Sequence, residues 1–175
     1  RYKDASYGLD LEGMEAAGFR YAQDIVWRKQ NGTGFQNDRF RRVHEHAVHF
    51  YRGAWAELYK CPQFTDDATA KTVRRKTRPT HTGNIDAGHY VSEDGGPRLQ
   101  RSVIEVANDH GRAVHPTQKP VGILLPLLSY SCPPRGTVID PFFGSGSTGL
   151  AAEMLGMQWA GCEIRPECAG IQALR

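Results

Sequence analysis

Residues 138–149 read VIDPFFGSGSTG. A short apolar run ends in Asp140, passes through a glycine-rich turn and enters an amphipathic segment. Because glycine has no side chain, a ligand can approach the backbone N–H groups of such a turn. Residues 158–164 predict a second short strand with Glu163 near its end, where an acid can accept hydrogen bonds from both hydroxyls of a ribose. The stretch therefore predicts a strand, a turn, a helix and a strand that bind an adenosine-containing cofactor.

The glycines of this turn also match a dinucleotide pattern, because Gly144, Gly146 and Gly149 satisfy G-x-G-x-x-G. Two features argue against NAD or FAD. Residues 140–143 (DPFF) separate the strand from the first glycine, whereas a dinucleotide turn begins almost directly after the strand. Only residues 164–175 follow Glu163, so we expect the rest of the sheet to come from earlier sequence, as in a circularly permuted domain.

A second motif lies upstream, where residues 115–120 read HPTQKP and precede an apolar segment at 121–131 that predicts a helix. Together with DPFFGSGST, this order resembles the amino-group DNA methyltransferases of the permuted class, in which the cofactor region follows the catalytic region. The resemblance covers residues 113–175 closely. Residues 17–29 and 44–48 resemble the paired strands that precede the family's target-recognition region. The motifs are far more specific together than any one of them alone.

The resemblance implies that the cofactor is S-adenosylmethionine. Glu163 would bind the ribose, and a hydroxyl and a cation in HPTQKP would face the carboxylate of the methionine end. We expect Phe142 to cover the adenine ring and Phe143 to join the core. The residues that the resemblance assigns to the cofactor are Thr117, Lys119, Asp140, Phe142, Gly144, Gly146, Ser147, Thr148 and Glu163.

The implied reaction is transfer of a methyl group to an exocyclic amine of a DNA base, which must leave the base stack to be reached. The family's general usage favours adenine N6 over cytosine N4. The family's catalytic tetrapeptide, Asp/Asn/Ser-Pro-Pro-aromatic, does not occur in the sequence. The CPPR at 132–135 lacks both the acceptor and the aromatic, and the DASY at 4–7 lacks the prolines. We therefore assign no catalytic residue.

Two explanations of the missing tetrapeptide stay open. The chain is either a C-terminal portion of an enzyme whose catalytic segment lies upstream, on the same or another chain, or a non-catalytic remnant that binds cofactor or DNA. A dinucleotide-dependent oxidoreductase is the lesser alternative. In each case the 175-residue chain alone is expected to bind the cofactor weakly at best and to transfer no methyl group.

The predicted fold is α/β: a Rossmann-like S-adenosylmethionine-dependent methyltransferase fold, circularly permuted and partial. Its mostly parallel sheet would carry an antiparallel edge hairpin from strands at 19–28 and 44–52, after a short helix at 9–17 that ends at Gly18. Residues 1–52 would be the C-terminal part of the catalytic region. Residues 53–109 show no sustained period and would form a basic insert for target recognition. Residues 110–175 would bind the cofactor.

Positive charge is unevenly distributed, although the net charge is only +3. Residues 39–42 and 71–78 form two basic clusters in segments where this family meets its substrate. Such cations contact phosphates and would bind double-stranded DNA with a salt-dependent affinity. The predicted DNA-binding residues are Arg39, Arg41, Arg42, Lys71, Arg74, Arg75, Lys76 and Arg78.

The remaining composition indicates an ordinary globular protein without a metal or membrane segment. The HEH at 44–46 misses the zinc-protease spacing, and no apolar run approaches the roughly 20 residues of a membrane span. The four cysteines lack C-x-x-C spacing and predict reduced thiols, with Cys162 facing the sheet core. Reduced thiols favour a cytoplasmic protein, and the family resemblance implies a prokaryotic or phage origin.

Overall fold

The computed structural model describes residues 11–33, 37–38, 40–75, 87–109, 113, 115 and 118–168. The helices are α1 (Leu11–Ala16), α2 (Val121–Ser131) and α3 (Ser147–Met154), with a 3₁₀ turn at Trp55–Glu57. The strands are β1 (Arg20–Thr33), β2 (Arg42–Tyr51), β3 (Phe64–Thr65), β4 (Lys71–Arg75), β5 (Gly88–Ser92), β6 (Arg98–Leu99), β7 (Val103–Glu105), β8 (Thr137–Asp140) and β9 (Gln158–Gly161). The chain divides into two compact units, and Pro62–Arg101 forms the second.

The first unit begins with the short helix and the antiparallel strand pair that the sequence predicts, and both are confirmed. Gly18 follows α1 with a φ of +84°, and the Phe19 N–H donates to the Met14 carbonyl (2.9 Å), a typical glycine helix end. β1 pairs antiparallel with β2 and extends to Thr33, beyond its predicted end at residue 28. On its other side β1 pairs parallel with β7. The sheet order is therefore β2-β1-β7.

The core of this sheet forms on one face, because alternate residues of a strand point the same way. Ile25, Trp27 and Ile104 are buried together with Ile123 of α2. The Trp27 indole N–H donates to the Val106 carbonyl (2.9 Å), which satisfies the polar group of this buried ring. Burial of these large side chains contributes about 1.5–3 kcal/mol each.

Helix α2 has the predicted bounds, and it contacts both sheets of the first unit. Its Leu124 and Leu127 pack against the β1 core, whereas Leu128 packs against a second cluster that contains Val138, Ala152 and Met157. The β8 and β9 strands of that second sheet are parallel, with Thr137 opposite Gln158 and Asp140 opposite Gly161. The predicted strand–turn–helix–strand order is confirmed.

One prediction about this second sheet is wrong. Cys162 does not face the core but is exposed, and its thiol donates to the Pro141 carbonyl (3.3 Å). β9 ends at Gly161, so the strand alternation used to place this side chain does not extend to it. All four cysteines are reduced thiols, and Cys132 and Cys168 are buried.

In the described part of the second unit, β3 pairs antiparallel with β6 and β4 pairs antiparallel with β5. Ala68, which lies between β3 and β4 in the sequence, is buried. Its carbonyl accepts the Gly95 N–H (2.8 Å), and its N–H donates to the Gly96 carbonyl (3.1 Å). Arg98 forms an ion pair with Asp67 across this region. No described helix is long and apolar enough to cross a membrane.

Candidate cofactor-binding site

The turn between β8 and α3 has backbone conformations that favour glycine. Gly144 and Gly146 have φ values of +50° and +76°, in the left-handed region where an L side chain is strained. The Gly146 N–H donates to the Phe143 carbonyl (2.8 Å), and the Leu150 N–H donates to the Gly146 carbonyl (3.0 Å). Gly146 is thus both the end of the turn and the N-cap of α3. The sequence pattern and the backbone geometry agree at these two positions.

Asp140 holds the turn from the carboxyl end of β8. Its Oδ1 accepts the Phe142 N–H (2.9 Å), and its Oδ2 accepts the Thr148 hydroxyl (2.6 Å). Hydrogen bonds to an ionised carboxylate are about twice as strong as those between neutral groups. Its negative charge also lies near the first turn of α3, where the helix dipole favours an anion. Asp140 therefore connects strand, turn and helix.

Glu163 lies two residues beyond β9 and contacts the same turn. Its Oε2 accepts the Gly144 N–H (2.9 Å), while its Oε1 accepts the Arg165 N–H (3.1 Å) and lies 3.4 Å from the Arg165 Nε. The side chain is only 12% exposed. The backbone N–H of Arg165, then that of Gly144, hold the pKa of Glu163 below its ordinary value of 4.5. Glu163 is therefore ionised at neutral pH.

His115, the first residue of HPTQKP, reaches the same place. It is buried, and its Nε2 lies within hydrogen-bonding distance of the Arg165 guanidinium. A Cβ built on Gly144 would lie 3.8 Å from the His115 ring and 4.0 Å from Glu163 Oε2. Residues from HPTQKP, the glycine turn and the end of β9 thus converge, although His115 and Arg165 are 50 residues apart in the sequence.

The two phenylalanines of the turn differ in environment. Phe142 is 87% exposed, whereas Phe143 is 7% exposed and stacks on Trp159, with ring centroids 4.7 Å apart. A Cβ at Gly149 would lie 2.6 Å from the Phe143 ring, and one at Gly161 would collide with it more severely. The two glycines therefore make space for Phe143, whose core position is confirmed. Phe142 presents an uncovered ring beside the turn.

Sequence reasoning named Ser147 and missed Ser145, His115 and Arg165 as members of this site. Ser145 and Ser147 are both buried, and their hydroxyls lie 3.1 Å apart. The position of Ser145 between the two turn glycines is a signal that could have indicated it. The side-chain contacts of His115 and Arg165 have no local signal, because they join distant segments.

Lys119 lies against the β1–β2 pair. Its Nζ donates to Glu45 Oε2 (2.5 Å) and lies 5.7 Å from the centre of the Trp27 ring. Lys29 contacts the other oxygen of Glu45 and the same indole (5.0 Å). Burial raises the pKa of Glu45, but hydrogen bonds from Lys119 and Lys29 outweigh it and lower the pKa overall. Thr117 lies outside the described residues.

Residues 7–173 match the model of the N6/N4 methyltransferase family, which is described as DNA methylase. The chain belongs to this family. Membership confirms the resemblance inferred from the motifs and argues against the dinucleotide alternative. The family match spans all of the residues whose convergence is described above.

Individual relatives agree with this family membership. The chain is 28% identical over 151 residues to the Type II methyltransferase M.HinfI of Haemophilus influenzae, covering 86% of the chain and 37% of the relative. It is 30% identical over 163 residues to the Type II methyltransferase M.XycI of Xanthomonas campestris pv. cyanopsidis. This match covers 93% of the chain and 46% of the relative. The chain thus spans less than half the length of these two relatives.

Solved structures show the same fold. The M1.HpyAVI–SAM complex matches with a TM-score of 0.60 at 25% identity, covering 93% of the chain and 65% of the solved one. The PvuII DNA methyltransferase (cytosine-N4-specific) matches with a TM-score of 0.60 at 17% identity. This match covers 91% of the chain and 52% of the solved one. The predicted Rossmann-like methyltransferase architecture is therefore confirmed at the level of the fold.

The predicted DNA-binding residues lie in both units. Arg41 and Arg42 are exposed in the first unit, and the Arg42 Nε donates to the His44 carbonyl (3.2 Å). Lys71 and Arg74 are exposed on β4 in the second unit. The side chain of Arg75 is not described, and Arg39, Lys76 and Arg78 lie outside the described residues.

The histidines of β2 form pairwise contacts. The rings of His44 and His46 lie 5.1 Å apart, and His46 Nδ1 lies 2.7 Å from Asp24 Oδ2. Within the described part of the chain, no group of three or more histidine, cysteine or acidic side chains could hold a metal ion.

Proposed function

We propose that this chain is the cofactor-binding and target-recognition portion of a DNA methyltransferase that uses S-adenosylmethionine. The observation that carries the proposal is the convergence of His115, Gly144 and Glu163 on the family's glycine turn. The order of the motifs along the chain supports a circularly permuted domain, with the cofactor region at the C-terminal side.

The residues at the turn suit an adenosine and a cationic sulfur. Each carboxylate oxygen has two acceptor positions, and Glu163 Oε2 directs one to the Gly144 N–H, so a ribose hydroxyl could occupy the other. The uncovered ring of Phe142 could stack on adenine. Asp140 and Thr148 would hold the turn backbone in place. S-adenosylmethionine, when bound, would supply the electrophilic methyl group.

We assign the methyl acceptor as the exocyclic amine of an extruded DNA base, with adenine N6 preferred over cytosine N4. The catalytic tetrapeptide would come from an upstream segment, on the same chain or another. The edges of β2 and β8 are two of the open strand edges in the described part of the first unit, and they support this assignment. Among the described residues, β2 pairs only with β1 and β8 only with β9, and α2 packs on both sheets. Further strands could therefore join either edge.

Titration calorimetry of the chain with S-adenosylhomocysteine, the demethylated product, tests the cofactor assignment. Asp140→Ala and Glu163→Ala should each weaken binding at least about tenfold. Asp66→Ala removes an exposed carboxylate in the second unit and serves as the matched control, with unchanged affinity expected. Tighter binding of NADH than of S-adenosylhomocysteine, or full affinity in either site variant, would contradict the assignment.

A methylation assay separates the catalytic portion from the cofactor portion. The 175-residue chain alone should transfer no methyl group to DNA, and addition of an upstream segment with the tetrapeptide should restore transfer. Methylation by the chain alone would refute an upstream catalytic segment. Cofactor binding without transfer in the extended protein would instead support a non-catalytic remnant.

A further inference from the structure

Strands β4 and β5 form a two-stranded ribbon in the second unit, with two different faces. Residues directly opposite in an antiparallel pair lie on the same face, and successive residues alternate between faces. Thr72 lies opposite Val91, and Arg74 lies opposite His89. These four residues form what we call the outer face. The alternate pairs lie on the inner face and are Lys71 with Ser92 and Val73 with Tyr90.

Burial distinguishes the two faces. On the inner face Val73 and Ser92 are half-buried, whereas Lys71 and Tyr90 are exposed, and the Ser92 hydroxyl donates to the Thr69 carbonyl (2.7 Å). All four residues of the outer face are exposed, including Val91 at 62%. The inner face therefore packs in part on its own unit, whereas all four residues of the outer face are open to solvent.

The outer face combines a cation, an imidazole and exposed apolar atoms. Neither β4 nor β5 contains an acidic residue, so the ribbon is positively charged along its described length. A two-stranded ribbon with an aliphatic side chain open to water gains little stability from that face. These features suit a polyanionic partner that offers both hydrogen-bond acceptors and methyl groups. Double-stranded DNA has both in its major groove.

We propose that the outer face of the β4–β5 ribbon reads base edges in the major groove of DNA, an inference that rests on the proposed function. The groove is about 12 Å wide and admits a two-stranded ribbon. The Arg74 guanidinium matches the O6 and N7 acceptors of guanine, and Val91 on the same face matches a thymine methyl. Lys71 lies on the other face and contacts phosphate, which contributes affinity without sequence preference.

The test starts with the full 175-residue chain and a library of DNA duplexes with a randomised core. Sequencing of the bound fraction should show a preferred sequence that contains at least one invariant G·C pair. Fluorescence anisotropy then measures affinity for the enriched duplex and for an unrelated duplex. Absence of any enriched sequence would overturn the proposal.

Arg74→Lys is the decisive variant, because it keeps the charge and removes the forked donor. It should lose about tenfold or more in preference for the guanine position, with nearly unchanged affinity for the unrelated duplex. Lys71→Ala should weaken both duplexes equally and reduce the salt dependence. Arg20→Ala, an exposed arginine on β1, is the control and should leave the base preference unchanged.

Other outcomes separate this inference from the proposed function. An unchanged guanine preference in Arg74→Lys, with circular dichroism showing a folded variant, would overturn the ribbon assignment. If the chain binds S-adenosylhomocysteine but selects no sequence, the ribbon assignment fails and the cofactor assignment stands. If the chain selects sequences through Arg74 but binds no S-adenosylhomocysteine, the cofactor assignment fails and the ribbon assignment stands.

Discussion

Replacement of Gly149 by alanine tests whether the Phe143–Trp159 stack is rigid. Gly149 is buried in the first turn of α3, and a Cβ there would lie 2.6 Å from Phe143 Cζ and 3.1 Å from two Trp159 ring atoms. Carbon atoms normally approach to about 3.5–4.0 Å, so the rings must move by about 1 Å. Phe143 has no space to retreat, because it already packs on the backbone of Gly161.

Two effects of this substitution oppose each other. Alanine is a better helix former than glycine by up to about 1 kcal/mol. Forcing a methyl group into a packed core costs about 1–3 kcal/mol, and displacing a stacked aromatic pair costs about 0.5–1.5 kcal/mol more. The packing cost is larger, so Gly149→Ala should lower the free energy of unfolding by about 1–2 kcal/mol. Equilibrium urea unfolding followed by circular dichroism measures this change.

Gly122→Ala is the matched control for this experiment. Gly122 is exposed in the first turn of α2, and a Cβ there would meet only the methyl groups of Val106, at 3.0 and 3.6 Å. This variant should be as stable as the wild type or slightly more stable. Equal stability of the Gly149 and Gly122 variants would refute the rigid stack. Binding of S-adenosylhomocysteine should weaken only in the Gly149 variant, because Phe143 leads directly into the turn.

Three further predictions concern side chains of the first unit. Asp140→Asn should lower the free energy of unfolding by about 1–3 kcal/mol, as measured in urea, because an amide accepts only one of the two hydrogen bonds. Affinity for S-adenosylhomocysteine should be constant above pH 4.5, the ordinary pKa of Glu163, and should fall as the pH drops through the lowered pKa of the folded state. Calorimetry across this range checks the profile, and Glu163→Gln should remove the acid-side decline. Iodoacetamide should label Cys61 and Cys162 in the native chain and the two buried cysteines only after unfolding, as read by mass spectrometry.

The elements around the cofactor site could be predicted because their signals are local. The apolar run of α2 is bounded by Pro120 and by the prolines at 133–134, which limits the helix to the observed residues. The glycines of the turn require a left-handed backbone that other residues rarely adopt. The antiparallel pair follows from two adjacent strand-like segments. In each case the physical cause lies within a few residues of the effect.

The second unit could not be predicted in the same way. Its strands contain two to five residues, and residues on both faces of the ribbon are exposed. Alternation between apolar and polar residues therefore does not develop, and residues 53–109 show no period. In the first unit, the pairing of β7 with β1 was also not predictable. It brings Val103 opposite Val26, which is far from it in the sequence. Contacts of this kind depend on tertiary packing rather than on local pattern.

The two acids of the site differ in how their substitution acts on binding. Both oxygens of Asp140 accept hydrogen bonds from the chain itself, so this carboxylate positions the turn. Loss of Asp140 should therefore reduce stability and affinity together. Glu163 also contacts the turn through Gly144, and it accepts a hydrogen bond from Arg165, whose guanidinium lies beside His115 of a distant segment. A ligand that hydrogen-bonds to Glu163 must share it with Arg165. Arg165→Gln should therefore change the affinity for S-adenosylhomocysteine and its salt dependence with only a small loss of urea stability, since the Arg165 side chain is 47% exposed and the backbone N–H groups of Arg165 and Gly144 still hold Glu163. A large loss of stability in this variant would show that Arg165 supports the fold and not the ligand.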